Sequence, residues 1–155
     1  MFDVTLVRRL SSRTAHYGHG YGPVARFLAY GAAGSLMEAA FTTAVASAGS
    51  GRLTPHCPST PLMLPIYGLS LPLFEPVHDR VRRRPAWQRA AVYAVGSMAV
   101  EASAGVALRR ISGRCPWEYS GRSRFAIGGV TRLDYAPLWA LAGLGAERLH
   151  DRLVG

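Results

Sequence analysis

Long apolar stretches alternate with short arginine-rich ones along this chain. Phe27 to Ala48 runs for 22 residues with Glu38 as its only formal charge. Pro61 to Phe74 is uncharged and continues through Glu75 to Val77. Ala90 to Leu108 covers 19 residues interrupted only by Glu101, and Tyr135 to Ala146 is uncharged up to Glu147. A helix crossing a bilayer needs roughly 20 apolar residues. The first and third stretches suffice outright, and the second and fourth do so if their charged ends reach the interface. The pattern predicts an all-α integral membrane bundle of four transmembrane helices, up-down-up-down, with spans at about 26–48, 61–80, 87–109 and 134–153. A polar N-terminal tail, 1–24, precedes this transmembrane domain, 25–155. The tail's short apolar stretch comes before its arginines and no small-residue cleavage site follows, so it does not read as a cleaved signal.

Charge changes the picture in one respect. All 18 basic residues are arginine, against nine acids, for a net charge of +9. On a soluble domain such a balance points to nucleic acid. Here the arginines lie between the apolar runs, so the partner expected is the lipid bilayer and no nucleic acid. The tail, the second loop and the C-terminus together hold 11 arginines, and the other two loops hold seven. That bias places both termini in the cytoplasm. The run Arg80-Val-Arg-Arg-Arg-Pro85 reads as a topology signal and an anionic-lipid contact. Cys57 and Cys115 then fall on the outer side, where they either pair in an oxidising compartment or stay as two loop thiols.

Each span carries one glutamate: Glu38, Glu75, Glu101 and Glu147. A carboxylate in lipid is costly unless paired, protonated or coordinated, so it faces protein and marks function. Gly34, Gly105 and Gly143 stand one turn from three of them, where small residues admit a neighbouring helix. The chain also echoes itself. Glu75-Pro-Val-His78-Asp-Arg matches Glu147-Arg-Leu-His150-Asp-Arg, GSLMEAA resembles GSMAVEAS, and Arg26 and Arg89 each precede a glutamate by 12 residues. A duplicated two-helix hairpin explains all three. The order Glu, ExxH, Glu, ExxH is that of di-iron and di-manganese bundles, because residues at i and i+3 share a helix face. Glu38, Glu75, His78, Glu101, Glu147 and His150 are thus candidate ligands for a divalent pair, iron or manganese. Protonated glutamates with interfacial histidines are the alternative.

Further features bear on chemistry. Pro61, Pro65, Pro72 and Pro76 predict a broken or kinked second span, and Tyr67 beside Gly68 offers a phenol to a carboxylate. Loop 109–132 is long for a small bundle. Its Trp117 and Tyr119 read as interfacial anchors, and Glu118 with the apolar FAIGGV adds a lid dipping back onto the helices.

Several stretches together resemble the transmembrane protein 229 family and a related bacterial family carrying an ABC-transporter type IV label. They are FLAYGAAGSLMEAAF (27–41), LPIYGLSLPLFE (64–75), VEASAGVALRR (100–110), CPWEYS (115–120) and LDYAPLWALAGLGAE (133–147). The resemblance implies a small polytopic membrane protein and no settled activity. Its histidines depart from the pattern, and no GxxxxGK[ST] loop exists for nucleotide. Two functions are expected. One is a membrane-embedded enzyme on a lipid-soluble substrate, with Glu38, Glu75, Glu101, Glu147 and Tyr67 as acid–base groups or metal ligands. The other is an ion- or proton-coupled transport component; a non-catalytic assembly subunit is a third. Four helices enclose little volume, which favours a homo-oligomer or a larger membrane complex.

Overall fold

The structure, a computed structural model, describes residues 20–50, 62–121 and 123–155. Helices occupy all four apolar segments: α1 (Pro23–Ser50), α2 (Met63–Gly68) with α3 (Ser70–Val81), α4 (Ala86–Ser112) and α5 (Ala136–Val154). Between α4 and α5 lie two short strands, β1 (Ala126–Ile127) and β2 (Thr131–Arg132), and a 3-10 turn, Leu133–Tyr135.

The boundaries follow local chemistry. Pro72 has no N–H for the carbonyl of Gly68, so the helical ladder of the second segment fails there. The chain tightens at Leu69, whose N–H reaches the carbonyls of Pro65 and Ile66 at 3.1 and 3.2 Å. Arg84 precedes proline, which disfavours helix, and α4 restarts after Pro85 as its N-cap. Gly113, at φ 73°, ends α4 in the left-handed conformation.

Among the described residues, only α4 is both long and apolar enough to cross a membrane. The four-span expectation therefore holds for helices and, by length and composition, for one span. α1 is 28 residues long, but much of it is Ala, Gly, Ser and Thr, which offer little apolar area. The second segment is broken, and α5 carries Glu147, Arg148, Asp151 and Arg152 near its end.

The chain divides into two compact units. The first comprises the described residues up to Glu75 together with Leu149–Gly155. Here α1 and the second segment run antiparallel, since Arg26 meets Glu75 while Gly31 meets Leu64. Gly34 lies under the Tyr67 ring and Gly68 under the Phe27 ring, so closely that a Cβ at either would overlap the ring. Tyr30, Met63 and Leu153 are its buried apolar side chains, and the Tyr21 N–H donates to the Leu153 carbonyl at 2.8 Å.

The second unit, Pro76–Arg148, holds α4, the hairpin and most of α5. Its buried apolar residues are Tyr93, Ala94, Cys115 and Val130. Tyr93 lies directly on Gly143. β1 and β2 pair antiparallel, with Ala126 opposite Arg132 and Ile127 opposite Thr131. The Val130 N–H closes the turn onto Ile127, and both central residues, Gly128 and Gly129, have positive φ as a type I′ turn requires.

Candidate functional site

In the first unit a chain of polar groups runs from Arg26 to His150. Arg26 Nη1 donates to Glu75 Oε2 at 2.8 Å, and the Tyr30 hydroxyl lies 3.1 Å from Glu75 Oε1. The same hydroxyl is 2.9 Å from His150 Nδ1. Tyr30 and His150 are each only 4% exposed. The Phe74 ring meets both edge-on at 6.4 Å, closing the group from water.

The second unit repeats this arrangement with other residues. Arg89 Nε donates to Glu147 Oε1 at 2.7 Å and Nη2 to Oε2 at 3.1 Å. The Tyr93 hydroxyl donates to Glu147 Oε1 at 2.7 Å and is 3.0 Å from His78 Nδ1. Tyr93 and His78 are also 4% exposed. Arginine and tyrosine come from the start of a long helix, and the glutamate from the end of the segment that follows it. The histidine comes from the other hairpin's ExxH. Each ExxH therefore gives its glutamate to one unit and its histidine to the other.

The bonding order can be worked out. A phenol has a single proton, and a carboxylate paired with a guanidinium only accepts. The tyrosine proton thus goes to the glutamate, and the histidine Nδ1–H donates to the phenol oxygen. Neutral His78 and His150 are then Nδ1–H tautomers. The result is a line of groups from imidazole through phenol to carboxylate, each within 3.1 Å of the next. Such a line can pass a proton by reorienting its bonds, and it satisfies every carboxylate oxygen it contains. Arg–x–x–x–Tyr occurs at Arg26 and Arg89 at the same place in both hairpins. The expectation above followed the arginines and acids and missed Tyr30 and Tyr93, although that repeated spacing marks them.

Glu101 belongs to a different group. Tyr119 donates to its Oε1 at 2.9 Å and Thr131 to its Oε2 at 2.6 Å. Both come from the loop after α4, so that loop folds back over the middle of the helix. Val130 packs on Gly105, and Trp117 Nε1 donates to the Val130 carbonyl at 3.1 Å. The loop 109–132 is thereby packed against α4. Burial, with Glu101 adding to it, pushes the Tyr119 phenol far above its ordinary range. Arg132 lies over the rings of Tyr135 and Tyr119, 4.1 and 5.6 Å from their centres, and pairs with Asp134. That pairing holds Asp134 below the usual carboxylate range. Glu118 accepts from the Ser120 N–H at 3.0 Å and from Arg109 at 2.7 Å, and these donors lower it too.

Glu38 and Tyr67 are the remaining expected acid–base residues. Glu38 is half-buried near the middle of α1, where its carbonyl accepts from Thr42. Tyr67 packs against Gly34. Among the described residues, no three His, Cys, Asp or Glu side chains converge as a metal site would need. The candidate ligands Glu75, His150, Glu147 and His78 occur as two pairs, 3.5 and 3.7 Å apart, each bound to tyrosine and arginine. Cys115 is buried, and Cys57 lies outside the described residues, as does the tail at 1–19.

Comparison with known proteins finds no matching family model, no matching curated protein and no matching solved structure.

Proposed function

We propose that this protein is an integral membrane protein of four spans, built from two repeated helical hairpins with both termini cytoplasmic. It works as a proton-coupled transport component, in which the two Tyr–Glu–His groups carry the proton. The observation behind this is the pair of matching buried networks, Arg26–Glu75–Tyr30–His150 and Arg89–Glu147–Tyr93–His78. Lines of carboxylate and histidine within membrane segments mark proton pathways. Repeated halves and an interrupted helix are what many transporters are built from.

Other features support the membrane setting. Only 17% of the apolar window of α4 is buried within the chain, whereas the core helix of a soluble protein hides most of its surface. Leu36 and Val45 on α1 and Leu141 on α5 are more than half exposed, which suits acyl chains as neighbours. The loop over Glu101 covers that carboxylate with protein, as lipid demands of buried polar groups. The resemblance carried by CPWEYS and its companion stretches is to polytopic membrane proteins.

Two experiments test the reading. After alkaline carbonate extraction the chain should stay with the membranes; release would end the membrane assignment. In proteoliposomes holding a trapped pH dye and an imposed potential, wild type should move protons faster than empty vesicles. The rate should fall in the Tyr30→Phe/Tyr93→Phe double variant. Absence of protein-dependent flux would overturn the transport assignment.

A further inference from the structure

We infer that the turn joining α3 to α4, with the groove beside it, is a binding site for one anionic phospholipid. The guanidinium groups of Arg80, Arg82, Arg83 and Arg84 hold its phosphate, and an acyl chain lies in the groove. This rests on the membrane setting proposed above, but not on proton transport. The four arginines are exposed. Among the described residues, Arg82, Arg83 and Arg84 take part in no ion pair. Their neighbour Asp79 is the single acid between Pro76 and Gly96, so the local charge is strongly positive.

The turn is held in shape. Arg82 and Arg84 close it through N–H bonds to His78 and Val81 at 2.8 and 2.7 Å, and Arg89 Nη1 clamps the Arg84 carbonyl at 2.6 Å. Arg80 Nη1 is fixed to the Pro76 carbonyl at 2.7 Å. The backbone that carries these side chains is thus fixed by its own bonds, and arginine matches phosphate geometry better than a point charge does.

The groove begins where the charge ends. Val77, Ala91, Val92, Val95 and Gly96 line about 430 Å³, within the roughly 300–1,000 Å³ usual for ligand sites. Val77 lies one helical turn before Arg80, and Ala91 one turn after Trp87. That tryptophan is 71% exposed at the start of α4, the place of an interfacial anchor. Gly96 leaves the groove floor open, since nothing lies within 4 Å of where a Cβ would be. Basic rim, aromatic anchor and apolar groove follow in the order of headgroup, glycerol and chain. This order favours a lipid over free phosphate.

Native mass spectrometry of the full chain from detergent tests this, with phosphatidylglycerol and phosphatidylcholine of matched chains as probes. Wild type should retain phosphatidylglycerol about tenfold better, in line with several arginines at a lipid surface. The Arg82→Gln/Arg83→Gln/Arg84→Gln variant should lose that preference. Gly96→Leu, which fills open space and should fold, should weaken retention of both lipids. Equal retention by wild type, a preference that survives the triple variant, or retention unmoved by Gly96→Leu would each overturn the site. Glycerol phosphate should displace nothing; displacement would assign the arginines to a soluble phosphate and overturn the lipid. Carbonate-washed membranes separate the two proposals: a chain that stays embedded without the preference loses only this site.

Discussion

Arg89 holds Glu147 through two nitrogens. Lysine cannot reproduce a two-point grip. Arg89→Lys should therefore lower stability by about 1 kcal/mol or more, in thermal unfolding followed in detergent. Tyr93→Phe should cost about 1–3 kcal/mol, because it leaves a buried imidazole N–H without its acceptor. Tyr119 gives a pH prediction. Its folded-state proton is held more tightly than in the unfolded chain, so its contribution is fully present below about pH 10, the ordinary phenol value. That contribution is lost as pH rises further, by about 1.4 kcal/mol per unit. Tyr119→Phe should leave unchanged the number of tyrosines that ionise before unfolding, as counted by phenolate absorbance. Asp134 has the opposite sign: its contribution is present above the ordinary carboxylate range and is lost as pH falls below it. What the sequence hid at this scale was the tyrosines. A tyrosine in an apolar run reads as packing or as an interface anchor, and only its partners make it a relay.

Helices were legible because each apolar run is long and bounded by proline, glycine or arginine. The break in the second segment was legible too, since Pro72 removes a donor wherever it sits in a helix. The β1–β2 hairpin was not, because its strands are two residues each and show no alternation to read. Gly128 and Gly129 were the available signal. Gly129→Ala should destabilise this hairpin by about 1–3 kcal/mol, for it combines a left-handed backbone with overlap on Glu118 and Ser120. The measurable consequence is earlier proteolysis between Gly113 and Thr131, with α1 undisturbed. Gly34→Leu should do the reverse, forcing Tyr67 off α1 while leaving the Glu101 group intact. The di-metal expectation gathers six residues into one site, whereas here Glu75 with His150 and Glu147 with His78 form two pairs. An ExxH pair lies on one helix face, yet here the two members serve different units. Elemental analysis checks it directly, since near-stoichiometric iron or manganese lost on Glu101→Gln would require these groups to rearrange around ions.

At the scale of the molecule, the repeat is more than a likeness of sequence. His150 completes the network of Arg26, Tyr30 and Glu75, and His78 completes that of Arg89, Tyr93 and Glu147. Tyr30→Phe and Tyr93→Phe should be additive in stability if the two networks are energetically separate, within about 0.5 kcal/mol. A double-mutant cycle in detergent measures that, and a larger coupling would make them one system. The reciprocal loan of imidazoles also has a bearing on how such a chain could arise. A lone hairpin could not supply its own phenol with this histidine, but two identical copies could supply each other's. If the chain arose by duplication, such a homodimer would be its predecessor, and splitting the chain tests the idea. Separating the present halves within the Arg82–Arg84 turn and expressing them together should restore an assembled pair, whereas either half produced alone should be degraded.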